Sequence, residues 1–233
     1  MTHYRRFSDE ELNGTAYRLE TKQPQDVIAW GIEHFGTKIA LASSFGAEDV
    51  VLIDMLSKLA PRTPVFYLDT GKHFPETLAT KDRLQERYGI TFIRVLPALT
   101  LEEQAEKYGD KLWEAEPNLC CKLRKVEPLG EILSTYNAWM TGIRREQAPT
   151  RANTKKVEWD EKFQLVKLNP LADWTQEDVW AYIRSHDVVY NPLHDRNYPS
   201  IGCSVCTRPV KPGEDPRAGR WSGFSKTECG LHK

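Results

Sequence analysis

The side chains best suited to chemistry here are five cysteines in three places: the adjacent pair Cys120 and Cys121, the Cys203-Ser-Val-Cys206 step, and Cys229 near the end. A pair and a C-x-x-C step can supply four thiolates to one centre, which leaves Cys229 as the odd thiol. Adjacent cysteines join to each other only with strain, and the opening Met1-Thr-His-Tyr-Arg-Arg6 leads into an acidic, polar segment rather than a signal-peptide core. Four thiolates around zinc or an iron–sulfur cluster therefore fit better than disulfides. Buried or redox thiols that hold no metal are the plainer alternative.

Three further segments carry polar groups of useful type. Ser43-Ser44-Phe45-Gly46-Ala47-Glu48-Asp49 offers hydroxyls, a glycine and the free amides of a helix start, which suit an anion or serve as an ordinary cap. Asp69-Thr70-Gly71 could hold a nucleoside or simply turn the chain. Arg144, Arg145 and Arg151 fall in a loop bounded by Gly142 and Pro149, as a phosphate or sulfate clamp would require and as a solvated charge cluster would also allow.

The periodicity predicts the elements that position these groups. Ser8 with Glu11 forms a capping box, and Pro24 to His34 has helical spacing closed by Gly36. A strand over Lys38 to Ala42, the Ser43 turn and a helix over Ala47 to Leu59 follow. The alternation continues with a strand at Val65 to Leu68, a helix at Pro75 to Tyr88, a strand at Ile90 to Leu96 and a helix at Leu101 to Tyr108 capped by Thr100 and Glu103. Strands at Ala138 to Thr141 and Phe163 to Leu168 and a helix at Thr175 to Arg184 complete the pattern, and from Asn191 onward glycine and proline break it. The result is an α/β fold with a mainly parallel, doubly wound sheet and an irregular C-terminal tail. Ligands bind outside the carboxyl ends of such strands, where all three polar segments fall.

The chain has 233 residues, 40% of them apolar, enough for one core and a single domain: N-terminal helices over 1–36, a nucleotide-binding core over 37–190 and a cysteine-bearing lobe over 191–233. A formal charge of −1 draws it to neither nucleic acid nor membrane, and no apolar run is long enough to span a bilayer, so the expected location is cytoplasmic. His73 is expected at the surface, His186 and His194 in helix-end and loop roles, and Trp159, Trp174 and Trp180 in packing.

Together, Ser43-Ser-Phe-Gly-Ala-Glu-Asp49, Leu68-Asp-Thr-Gly71, Cys120-Cys-Lys-Leu-Arg-Lys125, Gly142-Ile-Arg-Arg145, Cys203-Ser-Val-Cys206 and Glu228-Cys-Gly-Leu-His232 resemble the assimilatory adenylyl-sulfate reductases. The likeness to this adenylyl-sulfate/phosphoadenylyl-sulfate reductase family runs from about Lys38 to His232. It implies an adenine-nucleotide α-hydrolase-like fold and reduction of adenosine 5′-phosphosulfate to sulfite and AMP, in sulfate assimilation and cysteine biosynthesis. Electrons would come from thioredoxin or glutaredoxin. The same resemblance implies one 4Fe-4S cluster on Cys120, Cys121, Cys203 and Cys206, whereas phosphoadenylyl-sulfate reductases typically lack these pairs.

What the family implies residue by residue matches the chemistry of the side chains. Cys229 would be the nucleophile that forms an S-sulfocysteine, its thiolate favoured by neighbours such as His232 and the arginines. A tail with Gly219, Gly223 and Gly230 would let it close over the substrate and then swing out to the reductant. Lys125 would sit between cluster and substrate, while Arg217 and Arg220 would meet the sulfate and phosphate. Arg144, Arg145 and Arg151, with Arg151 the strongest contact, would join Ser43, Ser44, Phe45, Gly46, Glu48, Asp49, Leu68, Asp69, Thr70, Gly71 and Gly142 in holding the nucleotide. Family members are often homo-oligomers. The competing readings are preference for 3′-phosphoadenylyl sulfate or dual specificity, an iron–sulfur RNA-thiolating protein or sulfurtransferase, and a zinc-clamped binding module. The first loop departs from the Ser-Gly-Gly-x-Asp-Ser of ATP-cleaving pyrophosphatases, which favours a nucleotide substrate without ATP cleavage.

Overall fold

The computed structural model describes residues 7–224, 226 and 228–231. Two helices lead in, α1 (Asp9–Leu19) and α2 (Pro24–Phe35), and the Ser8/Glu11 capping box is present at the first. The alternating core follows as β1 (Ile39–Ala42), α3 (Ala47–Leu59), β2 (Val65–Leu68), α4 (Pro75–Tyr88), β3 (Ile93–Val95) and α5 (Leu101–Tyr108). Short helices α6 (Leu112–Ala115), α7 (Pro117–Cys121) and α8 (Glu127–Leu133) precede β4 (Ala138–Met140), β5 (Val157–Asp160), β6 (Leu165–Leu168) and α9 (Gln176–Ser185).

Among the described residues the sheet has six strands in the order β3-β2-β1-β4-β6-β5, all parallel except β5. Alternation along the strands assigns the two faces. Ile39, Leu41, Val65, Tyr67, Ala138, Met140, Val166 and Leu168 pack with α2, α3 and α9, and Ala40, Phe66, Trp139 and Leu165 pack with Leu129 and Leu133 of α8. Both faces are covered, as a parallel sheet requires. Leu231 of the tail joins the second face. Trp159, Trp174 and Trp180 pack against the first.

The departures from the sequence-based expectation have local causes. Residues 90–92 fall outside β3 because β2 spans only four residues and pairs three of them, Phe66 to Leu68, with Ile93 to Val95. Phe163 and Gln164 belong to a turn and not to β6: Asp160 Oδ1 accepts from the amides of Lys162 and Phe163, both at 3.1 Å, and Gln164 has φ +56°. That turn makes β5 and β6 an antiparallel hairpin, which the weak pattern of Val157–Asp160 did not announce. No described helix is long and apolar enough to cross a membrane.

Candidate active site

Strand order reverses at β1, which has β2 on one side and β4 on the other. Beyond the carboxyl ends of these three strands lies a cavity of about 850 Å³, roomy enough for a nucleotide. Ser43, Ser44, Gly46, Glu48 and Asp49 line it from β1 and α3, Leu68 and Thr70 from β2, and Gly142 and Arg144 from the segment after β4. The irregular lobe closes it with Arg217, Arg220 and Cys229.

The loop after β1 spends its polar groups on itself. Ser44 donates its amide (2.5 Å) and hydroxyl (2.7 Å) to Asp49, and the Phe45 amide donates to Ser43 Oγ at 3.0 Å. These bonds hold Phe45 at φ +60° with its ring buried against Tyr67 and Phe92, so Phe45 belongs to the core and not to the cavity wall. Burial pushes the Asp49 carboxyl up to about 6 despite those donors. Gly142 passes close: a Cβ there would lie 2.5 Å from Asp49 Oδ1 and 2.7 Å from Glu48 Cβ, closer than any side chain permits. The wall at the start of α3 therefore bears carboxylates and hydroxyls and is not an open anion cradle.

After β2, Asp69 accepts from the Gly71 amide (2.9 Å) and from Arg94 (2.6 Å), fixing the turn from outside the cavity, and Gly71 likewise does not line it. The turn instead presents Leu68, Thr70 and His73. His73 corrects the surface expectation: its Nε2 lies 3.1 Å from the Leu68 carbonyl, its ring faces the cavity, and burial holds its imidazole below the ordinary range. His194 also lines the cavity, its Nε2 buried with no hydrogen-bond partner among the described residues.

The three arginines of the β4 loop separate. Arg144 reaches the cavity but is held by Glu48 (2.9 Å) and Glu146 (2.8 Å). Arg145 turns away to Glu20 of α1 (2.6 Å) and the Thr154 carbonyl (2.7 Å), outside the cavity. Arg151 faces inward, where Nε and NH2 each donate to the Glu228 carboxylate at 2.9 Å and NH1 donates to Gln147. Arg217 NH2 donates to the same carboxylate at 3.2 Å. Burial raises the Glu228 carboxyl, but Arg151, Arg217 and Arg220 outweigh it and hold the group below the usual carboxylate range. Glu228 was noticed in sequence only as part of a motif.

Lys125 joins the cavity to a second, smaller cleft lined by Cys120, Cys121, Cys203 and Cys206 with Trp113, Arg124 and Trp221. Cys120 and Cys121 end α7, and the chain continues as a π-helical turn, Lys122–Val126, whose i to i+5 bonding widens the helix. Lys125 thereby faces the thiols. Burial alone would lower its ammonium; Cys203, Cys229 and Cys121 instead hold it above the ordinary lysine range. Burial raises the Cys203 thiol, yet Lys125, Thr70 and Arg220 bring it below the usual value. Burial and neighbouring thiolates push Cys120 and Cys206 up to about 11. All five cysteines are free thiols, and among the described residues no group of three metal-ligating side chains stands ready as placed. The four thiols share a cleft that must tighten to hold an ion.

Arg220 crosses between the two chambers over Gly202, where a Cβ would meet its guanidinium at 2.3 Å. It donates to Ser200 Oγ (3.1 Å) and stacks on buried Trp221 with 4.5 Å to the ring centroid, while its Nε has no hydrogen-bond partner among the described residues. Lys226 lies 5.7 Å from the other ring contact of Trp221. Cys229 completes the wall beside Lys125 and Arg217; His232 lies outside the described residues.

Residues 38–209 match the phosphoadenosine phosphosulfate reductase domain. The chain is 54% identical over 223 residues to adenosine 5′-phosphosulfate reductase of Halalkalibacterium halodurans, covering 95% of this chain and 96% of that one. It is 50% identical over 224 residues to a phosphoadenosine 5′-phosphosulfate reductase of Gloeobacter violaceus, covering 95% and 93%. The crystal structure of phosphoadenylyl-sulfate reductase from Candida auris, a phosphate complex, superposes with a TM-score of 0.79 at 33% identity, covering 88% of this chain and 99% of that one.

Proposed function

The chain belongs to the phosphoadenosine phosphosulfate reductase family, and from that premise we propose that it reduces adenosine 5′-phosphosulfate to sulfite and AMP with electrons from thioredoxin or glutaredoxin. One observation carries the reading: Cys229 lines a nucleotide-sized cavity at the carboxyl edge of the sheet, beside Lys125, Arg217 and Arg220. The cations neutralise the phosphosulfate and bring its sulfur to the thiolate. Cys229 Sγ attacks that sulfur, the bond to the phosphate oxygen breaks, and AMP leaves with the electron pair. A reductant thiolate then attacks Cys229 Sγ, sulfite departs with the S–S electrons, and the reductant's second thiol resolves the mixed disulfide. Two electrons from one dithiol account for the sulfite.

Cys120, Cys121, Cys203 and Cys206 would hold one 4Fe-4S cluster. The donor set fits: four soft thiols line one cleft, and two of them, held near 11, lack a cation that would favour their thiolates. When bound, the cluster supplies a compact charged centre that ties α7 to the lobe. Lys125 keeps its proton between the two chambers and so serves substrate and thiolates together. The enzyme acts as a single domain over 1–233, in the cytoplasm, in sulfate assimilation for cysteine biosynthesis, and self-associates.

The Gloeobacter relative supplies a second reading, 3′-phosphoadenylyl sulfate as substrate. Sulfite and AMP formation measured with each nucleotide and reduced thioredoxin tests both. Turnover of the unphosphorylated nucleotide alone supports the first reading, preferential turnover of the 3′-phosphorylated one moves the assignment to the second, and no sulfite from either overturns the function.

A further inference from the structure

Three contacts hold the residues on either side of Cys229. The Glu228 carboxylate, with a side chain 4% exposed, takes two bonds from Arg151 and one from Arg217. Lys162 Nζ donates to the Gly230 carbonyl at 2.5 Å, and Leu231 packs on the sheet face with Trp139 and Leu129. Glu228 differs from the other two anchors because its partners are cations of the substrate cavity. Arg151 has each of its three nitrogens bonded to Glu228 or Gln147, so in this arrangement it presents its charge to the tail rather than to the cavity.

We infer that Glu228 is the positioning residue for Cys229, clasping the tail onto Arg151 and Arg217 in competition with the nucleotide's own anionic groups. The inference rests on the proposed reductase reading. Breaking a buried, bidentate pair leaves uncompensated charge, so the clasp opens readily only when another anion takes its place on the guanidiniums. Nucleophile placement and product release thus draw on the same two arginines. While the clasp is closed, Cys229 stands over the substrate; when AMP or its phosphate occupies the arginines, the tail is free to carry the sulfo group to the reductant.

The test is Glu228→Gln in the full-length protein as purified, which keeps the side chain's size and removes its charge. Iodoacetamide alkylation of Cys229, followed by mass analysis of the C-terminal peptide, should accelerate by about tenfold or more, since a charge-assisted bond is worth roughly 1.5 to 3 kcal/mol. AMP should bind several-fold tighter because two guanidiniums are released, while the rate of S-sulfocysteine formation falls. This opposed shift in affinity and rate is one that general damage to the fold does not produce. Lys162→Ala should raise alkylation without tightening AMP. Unchanged alkylation in Glu228→Gln, or weaker AMP binding, overturns the inference. If Glu228→Gln loses its near-UV circular dichroism, Glu228→Asp, too short to span both guanidiniums, carries the same readouts. The alkylation arm needs no nucleotide, so it remains decisive even if sulfite formation fails and the reductase reading falls.

Discussion

Thr70 Oγ1 lies 3.3 Å from Cys203 Sγ and so links the carboxyl end of β2, which faces the cavity, to the lobe that carries the C-x-x-C step. The contact crosses 133 residues of sequence and lowers the Cys203 thiol together with Lys125 and Arg220. Thr70→Val should weaken iron retention against a chelator by about tenfold to a hundredfold, the range for losing a bond just beyond the ligands. Iron and visible absorbance followed over time check it. Loss as slow as in the parent would mean that Thr70 serves the substrate alone.

Serine in place of Cys120, Cys121, Cys203 or Cys206 should abolish iron content and colour, because a hard hydroxyl replaces a soft thiolate. Full iron in any two of these variants would remove the cluster assignment.

Cys229→Ser should separate binding from chemistry. It should keep iron and bind AMP normally, yet make no sulfite, since a serine hydroxyl is protonated at neutral pH and cannot undergo thiol exchange. In the parent protein, nucleotide without reductant should release about one equivalent of AMP and leave a sulfo group on Cys229. A sulfo group found by mass analysis on another cysteine would move the nucleophile.

Arg217→Ala and Lys125→Ala should each lower kcat/KM by about tenfold to a hundredfold, the worth of one charged hydrogen bond. Arg145→Ala should leave kcat/KM unchanged, because its guanidinium pairs with Glu20 on α1, and should cost less than about 1 kcal/mol of stability as a half-exposed ion pair. An activity loss in Arg145→Ala comparable with that in Arg217→Ala would contradict the geometry.

Asp49 gives a signed pH dependence. Its folded carboxyl stands at about 6 against an ordinary 3.8, so the folded state binds the proton more tightly than the unfolded chain. The contribution to stability is full below pH 4 and is lost as pH rises through 6, amounting to about 3 kcal/mol at 1.36 kcal/mol per unit. Asp49→Asn should gain in relative stability between pH 4 and pH 7 in urea titrations. A difference from the parent that does not change with pH would show that Asp49 keeps its charge throughout.

Signals carried within a few residues were legible before the structure. The Ser8/Glu11 and Thr100/Glu103 capping boxes, the β1 turn into α3 and the clustering of cysteines all depend on neighbours in sequence. The stretch from Leu112 to Leu133 was not, because Pro117 and Pro128 cut it into helices too short to show a period. Nor could sequence tell Arg145 from Arg151, since their partners, Glu20 and Glu228, lie 125 and 77 residues away. The loop after β1 looked open to anions because the Ser44 to Asp49 bonds use groups that a linear reading leaves unassigned.

Trp221 is 3% exposed and borders both chambers, with Arg220 and Lys226 over its ring. An indole so placed is a built-in optical gauge. Iron in the neighbouring cleft would quench its emission, and a shift of Arg220 would move its wavelength through the field on the ring. The filling of the cleft and the arrival of nucleotide could then be followed separately, by brightness and by colour, without attaching a dye.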